Sequence, residues 1–262
     1  MSQLVLFQMW SRFRQSLIES HLFYFEQANK RLLSQFDDIE SEADKASAAW
    51  LEENAQYFNQ DVHDLGEFEE QAYDAGVEFY QLLSDMRDTT RLSVVAGMYQ
   101  EWDKSLRQWL VDEIHHWHNG NTVLSMVWKK DIARLIDLME SFDWKIRAKE
   151  YFPIIDACRL VINVHKHGDG NSLIDLKARH PEYLVDPLKN IIGNNSAFDF
   201  IDHTHLSVSV SQLEDFSDAI VAFWKDVPEN IFNPTEITLP EWFEKAMQTD
   251  HKASQNQGGL QS

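Results

Sequence analysis

Apolar residues recur every third or fourth position through most of this chain, which is the period of an amphipathic α-helix. The first such run covers residues 3–35, and two more cover 41–59 and 67–86. In the first run the apolar stripe is formed by Leu4, Phe7, Trp10, Phe13, Leu17, Leu22 and Phe25. Asp61 to Asp64 interrupts the pattern between the second and third runs.

The same period continues beyond Asp88, Thr89 and Thr90, which resemble a helix start signal. Pro153 suits the first turn of a helix, and Ser172 suits an N-cap. The later helices are predicted over residues 92–118, 122–141, 153–167, 172–179 and 211–224, with a short one near Trp242. Between them, residues 181–209 look irregular, with a weakly strand-like run from Leu206 to Val210.

These elements predict an all-α fold, an antiparallel helical bundle with extra N-terminal helices. Only 9 glycines and 6 prolines occur in 262 residues, which favours long helices over many short strands. We expect an acidic helical extension over residues 1–66, a helical core over 67–247, and a disordered tail over 248–262.

The single cysteine, Cys158, lies among apolar residues and is expected to be a small buried hydrophobe. With one cysteine no intramolecular disulfide can form, which fits a reducing compartment and a cytoplasmic location. The N-terminus lacks the basic leader of a signal peptide, and no apolar stretch has the length of a membrane span. We therefore expect no contact with a membrane.

Charge is distributed unevenly along the chain. The formal net charge is −20, which disfavours broad, nonspecific binding of nucleic acid. Residues 1–90 hold 18 acidic and 6 basic side chains, whereas residues 145–189 hold 6 acidic and 8 basic ones. The second region is therefore the place where a local anionic ligand remains plausible.

The helix predicted over residues 153–167 is apolar around most of its circumference, at about 100° per residue. A helix of that kind is buried on most sides, and its polar groups need partners or solvent. His165 falls in the middle of the apolar face, where a hydrogen-bonded core histidine is expected. The remaining polar stripe holds Asp156, Arg159, Asn163, Lys166 and His167.

Two interpretations of this stripe remain open. In the first it is a structural network, in which Arg159 pairs with Asp156 or with an acid of a neighbouring helix such as Glu101 or Asp103. In the second the stripe lines a cleft or a symmetric dimer interface.

The end of this helix resembles the signature of the HEPN superfamily. Arg159 is followed after five residues by His165, and then by Lys166, His167 and the Gly-Asp-Gly turn. The resemblance spans roughly residues 67–227, including the helix with Tyr99 to Trp102 and the helix from Asp218 to Trp224. The run from Asn163 to Ser172 looks like a divergent branch of the superfamily.

The resemblance implies a helical bundle that forms a homodimer, and in many members a metal-independent ribonuclease that needs no cofactor. By this resemblance a histidine, His165 or His167, would act in acid/base chemistry, and Arg159 would stabilise the phosphate. Asn163 would share the catalytic site, with Lys166 and Asp156 next to the RNA. Such a protein could be a toxin or a component of phage defence or stress response. Inactive members instead serve as dimerisation modules or bind a ligand or partner protein.

Two features depart from the family pattern. Leu160, and not a polar residue, follows Arg159. Helical periodicity also places His167, and not His165, beside Arg159 and Asn163. Either the helix distorts near its end, so that His165 takes the catalytic position, or the site has shifted to His167.

Two other histidine clusters could bind a metal ion. His115 and His118 are three residues apart on one helix face, and His203 and His205 have the alternating spacing of strand ligands. The first pair lies at a helix C-terminus, and the second has no clear third ligand. We therefore predict a helix terminus favoured by the dipole in the first case and a surface loop in the second, with no metal site.

Overall fold

The computed structural model describes residues 4–59, 61–186, 200–233 and 238–258. Within these ranges the protein is mainly α-helical with one small two-stranded sheet, which confirms the predicted all-α class. The elements are β1 (Val5–Gln8), α1 (Ser11–Arg31), α2 (Ile39–Asn54), α3 (Leu65–His115), α4 (Asn121–Lys129), α5 (Ile132–Ser141), α6 (Tyr151–His167), α7 (Asn171–Arg179), α8 (Val210–Asp226), β2 (Asn230–Phe232) and α9 (Glu241–Gly258).

The first residues do not belong to a helix, so the prediction of a helix over 3–35 was wrong at its beginning. β1 pairs antiparallel with β2, and Phe7 lies opposite Ile231. Trp109 of α3 and Trp117, just after α3, hold the strand as well. Trp109 Nε1 donates to the carbonyl of Gln8 (3.0 Å), and Trp117 Nε1 donates to that of Leu6 (2.8 Å). These long-range bonds favour the extended conformation over the helix that the local pattern predicted.

α3 is a continuous helix of 51 residues, so the predicted break near Asp88 to Thr90 was wrong. The polar side chains there are satisfied inside the helix. Thr90 Oγ1 donates to the carbonyl of Met86 (2.7 Å), and Asp88 pairs with Arg87 and Arg91. Residues that often begin a helix can therefore lie in its middle.

The helix predicted over 122–141 is divided into α4 and α5. Asp131 caps α5, since its Oδ1 accepts from Arg134 N (2.9 Å). The buried Arg107 of α3 donates from Nη1 to the carbonyls of Val127 (2.6 Å) and Lys130 (2.7 Å) at the end of α4. Arg107 thus satisfies carbonyls that a helix C-terminus leaves unpaired.

One large apolar core is formed where the second half of α3 meets α1, α6 and α8. Among its fully buried members are Leu106, Val161 and Phe216. Cys158 is buried there too, and burial raises the pKa of its thiol, so the prediction of an inert core cysteine is confirmed.

α2 and residues 65–88 of α3 form an antiparallel pair, and we call residues 39–88, which include both helices and their connection, the acidic arm. Its buried apolar residues, Ile39, Ala43 and Ala72, lie outside the main core. The two helices touch at Gly76, where a Cβ atom would lie 3.0 Å from the carbonyl oxygen of Ala43 and 3.1 Å from Ser47 Cβ. A glycine is needed there for this close approach.

α9 runs to Gly258, so the prediction of disorder from residue 248 onward was wrong as far as the structure describes the tail. Asp250 anchors the helix. Its carboxylate accepts from the backbone N–H groups of Thr122 (2.9 Å) and Val123 (3.0 Å) at the start of α4, and lies 2.9 Å from His118 Nε2. An acid of one helix thereby caps another, an arrangement that local periodicity does not reveal.

Two further predictions need revision. α7 begins at Asn171 with Gly170 at its N-cap, so Ser172 lies inside the helix and does not cap it. The strand-like run from Leu206 contributes a single bridge between Leu206 and Leu184, and residues 187–199 lie outside the described ranges. None of the described helices combines the length and apolar character that a membrane span requires.

Candidate functional site

α6 carries the polar stripe predicted from the sequence, and it stays a regular helix to His167. It ends at Gly168, whose φ of +68° favours glycine and whose N–H donates to the carbonyl of Val164 (2.8 Å). The helix therefore does not distort near its end. Arg159 and His165, six residues apart, lie about 120° apart around the axis, so the helix does not bring them together.

Arg159 is held by an ion-pair network at the middle of α6. Asp156 Oδ1 accepts from Arg159 Nη2 (2.7 Å) and Nε (3.0 Å), and Asp156 Oδ2 accepts from Arg179 of α7. Arg179 also lies 3.3 Å from Asp175. Of the predicted partners for Arg159, Asp156 is confirmed, whereas Glu101 pairs with Lys104 and Asp103 pairs with Arg107.

This network balances its own charge, because two arginines face two aspartates. Asp156 is only 13% exposed and Arg159 27%, so both are partly withdrawn from solvent. A phosphate at Arg159 would have to compete with a carboxylate that already makes two hydrogen bonds to it.

The rest of the stripe is less constrained. Asn163 is half-buried, and Lys166 and His167 are exposed in the last turn of α6. None of the three makes an ion pair or a side-chain hydrogen bond with another described residue. Lys166 is therefore the cation of the stripe that stays available to solvent.

His165 is exposed, so the prediction of a buried core histidine was wrong. The last turn of α6 projects past the core, and there His165 lines a polar cleft of about 370 Å³ that we call the junction cleft. The cleft lies where α3 leaves the core. Its lining includes His203 as well as Asp85, Asp88 and Thr89 of α3.

His203 and His205 belong to a short 3-10 turn and not to a strand, so they do not form the alternating ligand pair considered from the sequence. His203 Nδ1 lies 3.0 Å from Asp169 Oδ1, and His205 Nδ1 lies 2.9 Å from Asp202 Oδ1. Hydrogen bonds from Thr204 and His205 lower the pKa of Asp202 to about 2. Both imidazoles therefore contribute to the turn itself.

His118 pairs with Asp250, and His115 is exposed at the end of α3. In the ranges that the structure describes, no group of three or more His, Cys, Asp or Glu side chains is arranged to hold a metal ion.

A larger cavity, which the sequence did not predict, lies between α1, α3 and α8 and has a volume of about 780 Å³. We call it the α1 cavity. Its walls are mostly apolar and are formed chiefly by Leu17, Phe23, Tyr24, Met98, Trp102 and Trp224. A concave, mainly apolar site of this volume is typical of small-molecule binding.

The polar side chains at the α1 cavity include two exposed ones of opposite charge, Arg31 and Glu101, and two that are neutral near pH 7, His21 and Tyr24. Burial lowers the pKa of His21, whose Nε2 lies 2.9 Å from Ser217 Oγ of α8. Burial also raises the pKa of Tyr24, which keeps its phenol protonated. The indole Nε1 of Trp102 is buried and has no hydrogen-bond partner among the described residues. The cavity thus combines a mostly apolar wall with a few polar side chains, and the unused Trp102 donor is buried beneath that wall.

One signal in the sequence could have indicated this cavity. α1 carries more large apolar residues than one neighbouring face covers, since Leu22 and Phe23 are 42% and 66% exposed beside the buried Ile18. The sequence prediction assigned all apolar residues of this helix to one stripe, so it did not show that some of them lack a covering neighbour.

Neither a protein-family model, nor a curated protein, nor a solved structure matches this chain.

Proposed function

We propose that this protein is a binding protein without catalytic activity, and that the α1 cavity is its ligand site. The observation that carries the proposal is the cavity itself: about 780 Å³, bordered by three packed helices and lined by aromatic and aliphatic side chains. Volumes between 300 and 1,000 Å³ with a few oriented polar groups are the usual range for such sites.

The chemistry of the walls defines the class of ligand. Trp102, Trp224 and Tyr24 offer flat apolar surfaces, while His21 is held neutral by burial. The two charged side chains of the lining, Arg31 and Glu101, are exposed and of opposite sign, so an uncharged, largely apolar molecule with one hydrogen-bond acceptor fits the remaining walls. The buried N–H of Trp102, unpaired among the described residues, is a donor that such an acceptor could satisfy after a small shift.

A ribonuclease reaction has less support. Asp156 neutralises Arg159, and His165 lies about 120° away around α6, in a cleft that also contains the carboxylates of Asp85 and Asp88. Carboxylates next to the histidine oppose an RNA phosphate. Membership of the HEPN superfamily, the homodimer and the cytoplasmic location stay predictions that no match or contact tests.

Binding can be tested with Nile red, an uncharged apolar dye with a carbonyl acceptor. We expect saturable binding with a rise in fluorescence, because the α1 cavity excludes water from the dye. Ser20 lies at the cavity, and Ser16 lies one turn earlier on the same helix and is also exposed. Ser20→Phe should raise the dissociation constant of the dye by about tenfold or more, while Ser16→Phe should change it by less than about twofold.

Absence of saturable binding would overturn the proposal, and so would an equal effect of the two substitutions. Far-ultraviolet circular dichroism of each variant checks that the helices are retained.

Catalysis is tested separately with single-stranded and structured RNA, with and without a chelator, and by growth on expression. We expect neither cleavage nor growth arrest. RNA cleavage by the unmodified chain would refute the non-catalytic assignment, whatever the dye shows, if it is lost in the Arg159→Ala variant and also in the His165→Ala or the His167→Ala variant. That result would establish a nuclease.

A further inference from the structure

The acidic arm carries an apolar stripe that α2 does not cover. Ala75, Phe79, Leu82 and Met86 follow one another at spacings of four, three and four residues, so they lie on one line along α3. Phe79 is 38% exposed, Leu82 62% and Met86 59%. Such a line of large exposed apolar residues has the geometry of a helix–helix seam.

A row of carboxylates runs beside this stripe. Glu67, Asp74, Glu78 and Asp85 lie on the adjoining face of α3, at spacings of seven, four and seven residues. All four are exposed, and none makes an ion pair with another described residue. Their charge is therefore available to a partner.

The charge of the whole arm decides what kind of partner fits. Residues 39–88 contain 14 acidic and 2 basic side chains. A second copy of the arm would place like charges along the seam, and nucleic acid would meet the same repulsion. A cationic partner would gain attraction along the same line.

We propose that the stripe of Ala75, Phe79, Leu82 and Met86, with its acidic row, docks a basic amphipathic helix of a partner protein. The partner's apolar residues would pack on Leu82 and Met86, and its lysines or arginines would lie against Glu78 and Asp85. The stripe spans about three helical turns, so a segment of comparable length suffices. This surface is separate from the α1 cavity and does not depend on it.

The probe is a synthetic peptide about five turns long, with leucines at helical seam spacing and lysines elsewhere. Its controls are a scrambled isomer of the same composition and an analogue with glutamate in place of lysine. Binding to the full chain is measured by fluorescence anisotropy. We expect the amphipathic basic peptide to bind at least about tenfold more tightly than the scrambled isomer, and the acidic analogue not to bind.

Matched substitutions locate the contact. Leu82→Ser with Met86→Ser should weaken binding by about tenfold or more, because the partner loses its apolar surface. Tyr73→Ser is the control, since Tyr73 is 68% exposed on the same helix but about 180° away from Leu82. Glu78→Gln with Asp74→Asn should reduce both the affinity and its dependence on salt, whereas Glu69→Gln on another face should not.

If the scrambled peptide bound as tightly as the amphipathic one, attraction by charge alone would explain the binding, and the proposal would be overturned. No binding of any peptide would overturn it as well. Sedimentation of the unmodified chain as a dimer that Leu82→Ser with Met86→Ser converts to a monomer would assign the stripe to a second copy instead. The Ser20→Phe variant should bind the peptide as the unmodified chain does, which separates this result from ligand binding in the cavity.

Discussion

The two halves of α3 share one backbone conformation but are stabilised differently. Between Leu92 and His115 the helix buries a series of large residues, including Met98, Trp102 and Leu106. Between Leu65 and Asp88 it buries Ala72 and Gly76. The second half is held by the core, whereas the first depends on one neighbouring helix and on its own hydrogen bonds.

This difference teaches that helix continuity and packing are separate properties. The helical period persists through both halves, but the apolar residues of the arm are partly left on its surface. Surface of that kind contributes little to folding and remains free for another molecule.

The largest contrast is expected for equal truncations in the two halves. Leu106→Ala removes a fully buried side chain and should lower the free energy of unfolding by about 2–5 kcal/mol. Leu82→Ala removes an exposed one and should change it by less than about 0.5 kcal/mol. Urea unfolding of the two variants measures both values, and similar losses would contradict the division of α3.

The next largest effect is expected at Asp250, which lies outside the acidic arm. Asp250→Ala should cost about 3 kcal/mol at neutral pH, because it leaves His118 and two backbone donors buried without their acceptor. The control is Glu244→Ala, an exposed acid on the same helix, which should be nearly neutral. Urea unfolding again provides the measurement.

The same residue predicts the direction of a pH effect. Burial opposes the charge of Asp250, but hydrogen bonds from His118, Thr122 and Val123 prevail and lower its pKa to about 2. A carboxyl whose pKa is lowered by folding stabilises the protein above its unfolded pKa of about 4, and this contribution is lost as the pH falls towards 2. The stability difference between the unmodified chain and Asp250→Ala should therefore shrink between about pH 4 and pH 2. A difference that stays constant over that interval would refute the assignment.

A smaller effect is expected at the contact between the arm's helices. Gly76→Leu should push α2 away from α3, since even a Cβ atom would lie 3.0 Å from the carbonyl of Ala43. Overpacking of this kind costs about 1–3 kcal/mol. Hydrogen exchange should accelerate in residues 39–54 and stay unchanged in 92–115, whereas Gln71→Leu on the exposed face should leave both unchanged.

The smallest expected effect is that of salt. Raising the ionic strength screens the repulsion among the arm's 14 acidic side chains. Hydrogen exchange in the arm should slow by a small factor, equivalent to less than about 1 kcal/mol, while the core half of α3 should not respond. Faster exchange in the arm at high salt would indicate that attractive ion pairs, and not repulsion, dominate there.

Local sequence patterns predicted the helical class and most helix positions, because periodicity reports which residues face a core. They did not predict the strand at Val5, whose hydrogen-bond partners lie more than a hundred residues away in Trp109, Trp117 and Ile231. The capping role of Asp250 was not predicted for the same reason, since Asp250 caps a helix from a distant part of the chain.

For the candidate site, the pairing of Arg159 with Asp156 followed from their spacing, because residues three apart share a helix face. The surroundings of His165 could not be predicted from residue spacing. The wheel placed it on the apolar face, but α6 projects beyond its neighbours at that point, and only the tertiary arrangement reveals where a helix leaves the core.

The length of α3 has a mechanical consequence. Its first 24 residues extend about 36 Å from the junction cleft, where Arg91 holds the helix to the carbonyl of Val208 (2.8 Å). A continuous helix is stiff over this distance, so a tilt of about 5° at the junction displaces the far end by about 3 Å. His165, His203 and Asp88 lie at this junction, so a change in their contacts that tilted the helix would be amplified at its far end.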